Sequence, residues 1–167
     1  MCGIIGVFNS DKSKELAKTA LDVIKYRGLD NQGFYSGKDF TIAHALHSVV
    51  ENVKQPLVEK NNLLVANCEI YNWKELNEKH NLNAKNDADL LFKLLNKKGC
   101  TISVLNMLKG VYAFAYVSDD KLFLARDLIG VKPLWYSAEE YFCFASEKKA
   151  LKQINVKDIN ELNPRIL

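Results

Sequence analysis

Val111-Tyr112-Ala113-Phe114-Ala115-Tyr116-Val117 is apolar at both of its alternating sets of positions. Successive side chains of a strand point to opposite faces, so Tyr112, Phe114 and Tyr116 would cover one face and Ala113 and Ala115 the other. Both faces must then be buried. A sheet packed on another sheet by one face and under helices by the other meets that requirement. Lys121–Arg126 follows as a second strand across Asp119-Asp120, which reads as a hairpin, although this turn is a weaker signal than Asn-Gly.

Outward from this hairpin, strand and helix signals alternate. The apolar run 63–67 is short enough to be a strand, and 4–8, 34–36 and Phe40–Leu46 read the same way. Leu16, Ala17, Ala20, Leu21, Val23 and Ile24 recur at helical spacing, with Gly28 as punctuation. Two more helices are expected near 73–79 and Asp87–Lys98. In the second, Leu90, Leu91, Leu94 and Leu95 make an apolar face and Gly99 suits the C-cap. A short helix at 101–108, strands at 134–136 and 141–145 and a closing helix at 147–152 complete the pattern. No Pro/Gly/Ser-rich linker, repeat or low-complexity run interrupts it, so residues 1–167 read as one domain.

A chain of 167 residues can bury a core without metals or disulfides. The net charge of +3 is spread along the sequence, and its densest basic run, Lys97-Lys98, lies where a helix C-terminus favours cations. A nucleic-acid surface is therefore not expected. No stretch approaches the roughly 18 apolar residues of a membrane span, and the N-terminus lacks the basic and apolar segments of a signal peptide. A cytoplasmic protein with no membrane partner is expected. Cys2, Cys68, Cys100 and Cys143 are far apart with no C-x-x-C pair, which argues against a zinc site or a disulfide framework. Cys100 and Cys143 read as core fillers.

Cys2 is different because of its place. Removal of Met1 would give one residue both a thiol, pKa about 8.5, and an α-amine, pKa about 7.7 to 8.0. A nucleophile served by its own terminal amine is a recognised catalytic design. Gly3 is small enough to permit Met1 removal, and the strand behind it would hold the terminus rigidly. The alternative is a small apolar residue on a first strand, with Met1 retained.

The residues that decide between these readings come in blocks: Cys2-Gly3-Ile4-Ile5-Gly6, Tyr26-Arg27-Gly28-Leu29-Asp30, Gln55-Pro56-Leu57, Asn67-Cys68-Glu69-Ile70-Tyr71-Asn72, Asn86-Asp87, the run from Arg126-Asp127 to Lys132-Pro133-Leu134, and Phe144-Ala145-Ser146-Glu147. In this order they resemble the glutaminase domain of asparagine synthetases, a class II glutamine amidotransferase and N-terminal nucleophile hydrolase. Pattern and resemblance together give an α+β fold, a four-layer αββα sandwich of two mostly antiparallel sheets flanked by helices.

The resemblance implies that Cys2 attacks the side-chain amide of L-glutamine, and that the Asn67 amide and the backbone N–H of Cys68 stabilise the oxyanion. It implies that Glu69 and Asp87 bind the substrate ammonium, with Arg27 close to the nucleophile and Gly28 letting backbone approach the substrate amide. It implies no cofactor for the glutaminase half, and ATP and Mg only in a synthetase partner, a domain or subunit absent from a chain that stops at Asn163-Pro164-Arg165-Ile166-Leu167. An amidotransferase for another amide-forming enzyme, or a non-catalytic module on the same fold, are the other readings. A homo-oligomer is compatible with all of them.

Two positions depart from the family pattern. Leu46 in His44-Ala45-Leu46-His47-Ser48 stands where the family's arginine holds the glutamine carboxylate, and a lost charge-assisted hydrogen bond is worth roughly 1.5–3 kcal/mol. Backbone N–H groups near Ser48 and the adjoining Val49, with His47, Lys54 or Arg27 as substitute cation, are the expected replacement. Cys68 stands at a family glycine, where a positive φ would be strained.

Overall fold

The computed structural model describes residues 1–49 and 51–163; the end of the terminal motif, 164–167, lies outside them. Its elements are β1 (Gly3–Phe8), α1 (Ser13–Ile24), β2 (Asn31–Ser36), β3 (Phe40–Leu46), β4 (Leu57–Glu59), β5 (Asn62–Ile70), α2 (Trp73–His80) and α3 (Asp87–Lys98). After these come α4 (Ile102–Leu105), β6 (Gly110–Ser118), β7 (Lys121–Arg126), β8 (Trp135–Ala138), β9 (Phe142–Ala145), α5 (Lys148–Gln153) and β10 (Asn160–Glu161). One sheet runs β10-β8-β9-β1-β3-β2 and the other β4-β5-β6-β7. Every pairing between neighbours is antiparallel.

The two faces of β6 are buried as the alternation requires. Ala113 and Ala115 join Ile4, Ile42, Leu63, Val65 and Phe144 in an apolar layer between the sheets. Tyr112, Phe114 and Tyr116 face outward into a second layer with Leu90, Leu91, Leu94 and Leu95 of α3. On the far side of the larger sheet, Ala17, Ala20, Leu21 and Ile24 of α1 pack with Ala150 and Leu151 of α5 over Ile5, Val7, Ala43 and Ala45. Three apolar layers separate four layers of secondary structure, which is the αββα sandwich. Each fully buried Leu or Ile contributes about 1.5–3 kcal/mol, so the layering is held chiefly by these three clusters.

Local chemistry sets the element ends. Asn86 caps α3 by accepting the Asp89 N–H at 2.9 Å, Asp87 and Asp89 lie in its first turn, and Lys97 and Lys98 lie in its last, each sign suited to the helix dipole. Asp119 and Asp120 have φ of 50° and 58°, as a type I′ hairpin turn demands, so two aspartates do here what Asn-Gly usually does. Gly6 gives way to an aromatic ring, because a Cβ there would lie 2.1 Å from Phe144 Cε1. The helix expected to end at Gly28 stops at Ile24 and tightens into a 3-10 turn over Lys25–Arg27.

One buried polar bridge joins the sheets. His44 on β3 is fully buried, and its Nε2 lies 3.1 Å from the Ala66 carbonyl on β5. The Gln55 side chain grips the same residue, accepting Ala66 N–H at 2.7 Å and donating to its carbonyl at 3.2 Å. Nε2 must therefore carry the hydrogen, and Nδ1 is buried without a partner. Burial depresses the imidazole pKa to about 4 from 6.5, the Ala66 carbonyl offsetting only part of that. Below 6.5 the unfolded chain takes up a proton that the folded chain refuses until about pH 4. Stability should thus fall by on the order of 3 kcal/mol across that window. Urea midpoints between pH 7 and 4.5 check this. His44→Gln should flatten the slope by one proton, and an unchanged slope would remove His44 as its cause.

Candidate active site

β1 is an interior strand, paired with β3 on one side and β9 on the other, and it carries Cys2 out at its N-terminal end. The Cys2 carbonyl accepts Arg27 Nε at 2.9 Å, and Arg27 Nη1 is anchored on Glu147 Oε1 at 2.8 Å. The Cys2 sulfur receives the His47 N–H at 3.4 Å. Strand, guanidinium and β3 end together fix the thiol. Met1 is 57% exposed at the rim of the site, where its sulfur accepts from Arg27 Nη2 at 4.0 Å, so its removal breaks no core packing.

Opposite Cys2, β5 supplies three consecutive residues. Its alternation turns Leu63 and Val65 towards the other sheet and Leu64 and Ala66 towards α3. Asn67 continues the first set and Cys68 the second. Asn67 is 2% exposed and its Nδ2 donates to no protein acceptor, a costly state for a buried amide. Cys68 lies against the start of α3, with its thiol donating to the Asp87 carboxylate. Asp87 also accepts Ile70 N–H at 3.1 Å and Ala88 N–H at 2.9 Å, which ties β5 to the helix.

Between these elements opens a cavity of about 550 Å³. Cys2, His47, Ser48, Val49, Asn67, Cys68, Glu69 and Asp87 all line it. Residues from four separate stretches of sequence converge there. Among the described residues, no three His, Cys, Asp or Glu side chains are grouped as metal ligands would be.

Several expectations need correction. Arg27 does not line the cavity; it sits behind Cys2, engaged with Glu147. Gly28 does not line it either, and its missing Cβ makes room for β3, since a Cβ would come within 2.4 Å of the Ala45 carbonyl. The Ser48 N–H is occupied by Asp30 Oδ2 at 2.7 Å and cannot serve a ligand carboxylate. Lys54 is exposed and outside the cavity. Cys68 is not strained, because β5 runs extended through it to Ile70 and its φ is not positive. Glu69 is accordingly a strand residue rather than a loop one.

Lys132, in the motif that runs from Arg126-Asp127, belongs to an internal ion pair that reaches the site. Its side chain is 5% exposed and its Nζ lies 2.7 Å from Glu69 Oε1. Arg126 and Asp127 do build the turn, through Arg126 Nε to the Lys132 carbonyl at 2.6 Å and through Asp127 accepting the Val131 and Lys132 N–H groups. That turn delivers the lysine to the site. Its 63-residue separation from Glu69 leaves no mark in the local pattern.

The electrostatics separate the two thiols. Burial pushes the Cys2 thiol above its usual value, while the His47 N–H, the terminal ammonium and Lys132 pull it back. Cys68 is driven much further, by burial and then by the Asp87 carboxylate facing it. Burial likewise raises Asp87, against the backbone N–H groups and the Cys68 thiol that donate to it. Cys68 is thus the poorer nucleophile and occupies one acceptor position on Asp87. Cys68→Gly should leave amide hydrolysis unchanged or raised, at about 1 kcal/mol lower stability for a glycine in a strand; abolished hydrolysis in a folded variant would make Cys68 a reacting group.

A glutamine amidotransferase domain model matches residues 1–164. A probable glutamine-hydrolysing asparagine synthetase of Dictyostelium discoideum is 35% identical over 91% of this chain and 30% of its own length. A putative glutamine-hydrolysing asparagine synthetase of Methanocaldococcus jannaschii is 33% identical over 99% of this chain and 37% of its own. Asparagine synthetase B of Escherichia coli is 33% identical over 90% and 30%. The chain therefore spans about a third of the length of these curated relatives. Among solved structures, a glutamine phosphoribosylpyrophosphate amidotransferase from B. subtilis superposes with a TM-score of 0.83 at 21% identity, over 98% of this chain and 46% of that one.

Proposed function

The chain belongs to the glutamine amidotransferase domain family, and from that premise we propose that it hydrolyses the side-chain amide of glutamine through Cys2 and passes the ammonia to an ATP-dependent synthetase domain or subunit in the cytoplasm. The observation that carries this reading is the buried Asn67 Nδ2, unpartnered and lining the same cavity as the Cys2 thiol. An amide donor held ready beside a nucleophile suits a developing oxyanion.

In this mechanism Met1 is removed and the freed α-amine of Cys2, neutral near pH 8, takes the thiol proton. The thiolate attacks the amide carbon, and the oxyanion draws the Asn67 amide. Collapse expels ammonia, which leaves with the proton returned by the amine. A thioester remains on Cys2, and water hydrolyses it to release glutamate and regenerate the thiol. The His47 N–H and the Lys132 charge ease formation of the thiolate that burial opposes. Glu69 and Asp87 supply carboxylates for the substrate ammonium, the ordered network around them limiting how far it can shift.

The relatives' names supply asparagine formation as the proposed use of the ammonia, with ATP and magnesium assigned to the synthetase partner. Glutamate and ammonia appearing in equal amounts, only with Cys2 present, tests the hydrolytic half. Ammonia without an acyl product of Cys2 chemistry would refute it.

A further inference from the structure

The charged lining of the cavity is acidic. Glu51, Glu69 and Asp87 face it, and no lysine or arginine lines it among the described residues. The cations nearest Cys2 and Glu69 are engaged, and Lys54 stands exposed outside the lining. Arg27 is held by Glu147 and by the Cys2 carbonyl, Lys132 by Glu69, and the His47 imidazole lies 3.9 Å from Asp30, which would pair with it on protonation. Two backbone donors at the β3 end are also spent, Ser48 N–H on Asp30 and His47 N–H on the Cys2 sulfur. Leu46 closes that wall with an apolar side chain that is 6% exposed. The terminal amine that Met1 removal creates must be neutral to act as base.

A ligand ammonium is attracted into such a site. A ligand carboxylate would leave water to face other carboxylates with no lysine or arginine in the described lining to pair with it, which is costly. The volume points the same way, since about 550 Å³ falls in the range that buries drug-sized ligands and exceeds what one amino acid fills. Val49, 81% exposed, and Tyr71, 69% exposed, offer apolar surface on which a following residue can lie.

We propose that the preferred substrate is a glutamine whose α-carboxyl is bonded as an amide, the N-terminal glutamine of a peptide, rather than the free amino acid, with the Cys2 chemistry above as its premise. The ammonium and the side-chain amide are retained, and the neutral peptide carbonyl replaces the carboxylate. The bonds made and broken at the side chain are those already given.

The test compares the full chain on L-glutaminylglycine methylamide, free L-glutamine and N-acetyl-L-glutamine. Product is counted by mass as the side-chain acid, because spontaneous cyclisation of N-terminal glutamine also releases ammonia, and a Cys2→Ala chain gives the background. The expected result is a kcat/KM for the methylamide about 10- to 100-fold above free glutamine, the scale of one uncompensated charged contact, with N-acetylglutamine slowest. Leu46→Arg should move the preference towards free glutamine; if that variant does not fold, the wild-type ratio decides. Free glutamine processed as fast as the methylamide or faster would overturn the substrate class and leave the Cys2 reading standing. No Cys2-dependent product from any of the three would overturn both.

Discussion

Replacing Cys2 with alanine should reduce side-chain amide hydrolysis by at least about 10⁴-fold while the protein remains folded. Removal of a covalent nucleophile leaves only what binding and oxyanion donors supply, and losses of that order or larger follow in enzymes whose catalytic groups act as a unit. The fold should tolerate the change, because the anchoring contact runs from Arg27 to the Cys2 backbone carbonyl rather than to its side chain. Unfolding midpoints for the variant and the parent should therefore agree within about 0.5 kcal/mol, the usual spread for substitutions outside the core. Hydrolysis that survives in Cys2→Ala would have to come from Cys68, the other thiol lining the cavity, and would invert the assignment made from their electrostatics.

The second large effect is expected at Asn67. Among the described residues its Nδ2 is the one polar side-chain atom of the site that is both buried and without a protein partner, so its role is satisfied by something that enters the cavity. Asn67→Ala should lower kcat by about 10²- to 10³-fold, roughly 2.7–4 kcal/mol of transition-state stabilisation, with little change in KM. Stability should not fall in proportion, since the wild-type fold already carries an unsatisfied amide there. A loss confined to KM would make Asn67 a ground-state contact and not an oxyanion donor.

The sequence made the layering legible where periodicity carried it. Both faces of 111–117 had to be covered, and the α3 face of Leu90, Leu91, Leu94 and Leu95 meets the outer one. Strand lengths were legible only while they stayed apolar. β5 continues through Cys68 and Glu69, whose polarity reads as a loop, because its last residues line a cavity instead of a core. β4 and β10 are three and two residues long and rest on pairing with neighbours, which leaves no periodic signal.

The site was legible as a set of residue types and not as a wiring diagram. Cys2, His47, Ser48, Val49, Asn67, Cys68, Glu69 and Asp87 line one cavity, yet Arg27 and Gly28 turn out to act on Cys2 and β3 rather than on a ligand. Asp30, which takes the Ser48 N–H, and Lys132, which pairs with Glu69, were visible in their motifs. Their partners lie far away in sequence or on another element, so their roles required the fold. The departure at Leu46 was legible at once, but its consequence depended on finding Arg27 and Lys132 engaged and no lysine or arginine in the described lining.

The central claim is that Cys2 becomes the N-terminal nucleophile of an amide-hydrolysing site, and intact mass tests it most directly. The purified chain and its Cys2→Ala variant would be incubated with 6-diazo-5-oxo-norleucine or its α-amide, electrophiles shaped like the glutamine side chain. The account predicts a chain lacking Met1 that gains a single adduct, and no adduct on Cys2→Ala. A chain that keeps Met1, or an adduct that persists without Cys2, would contradict it.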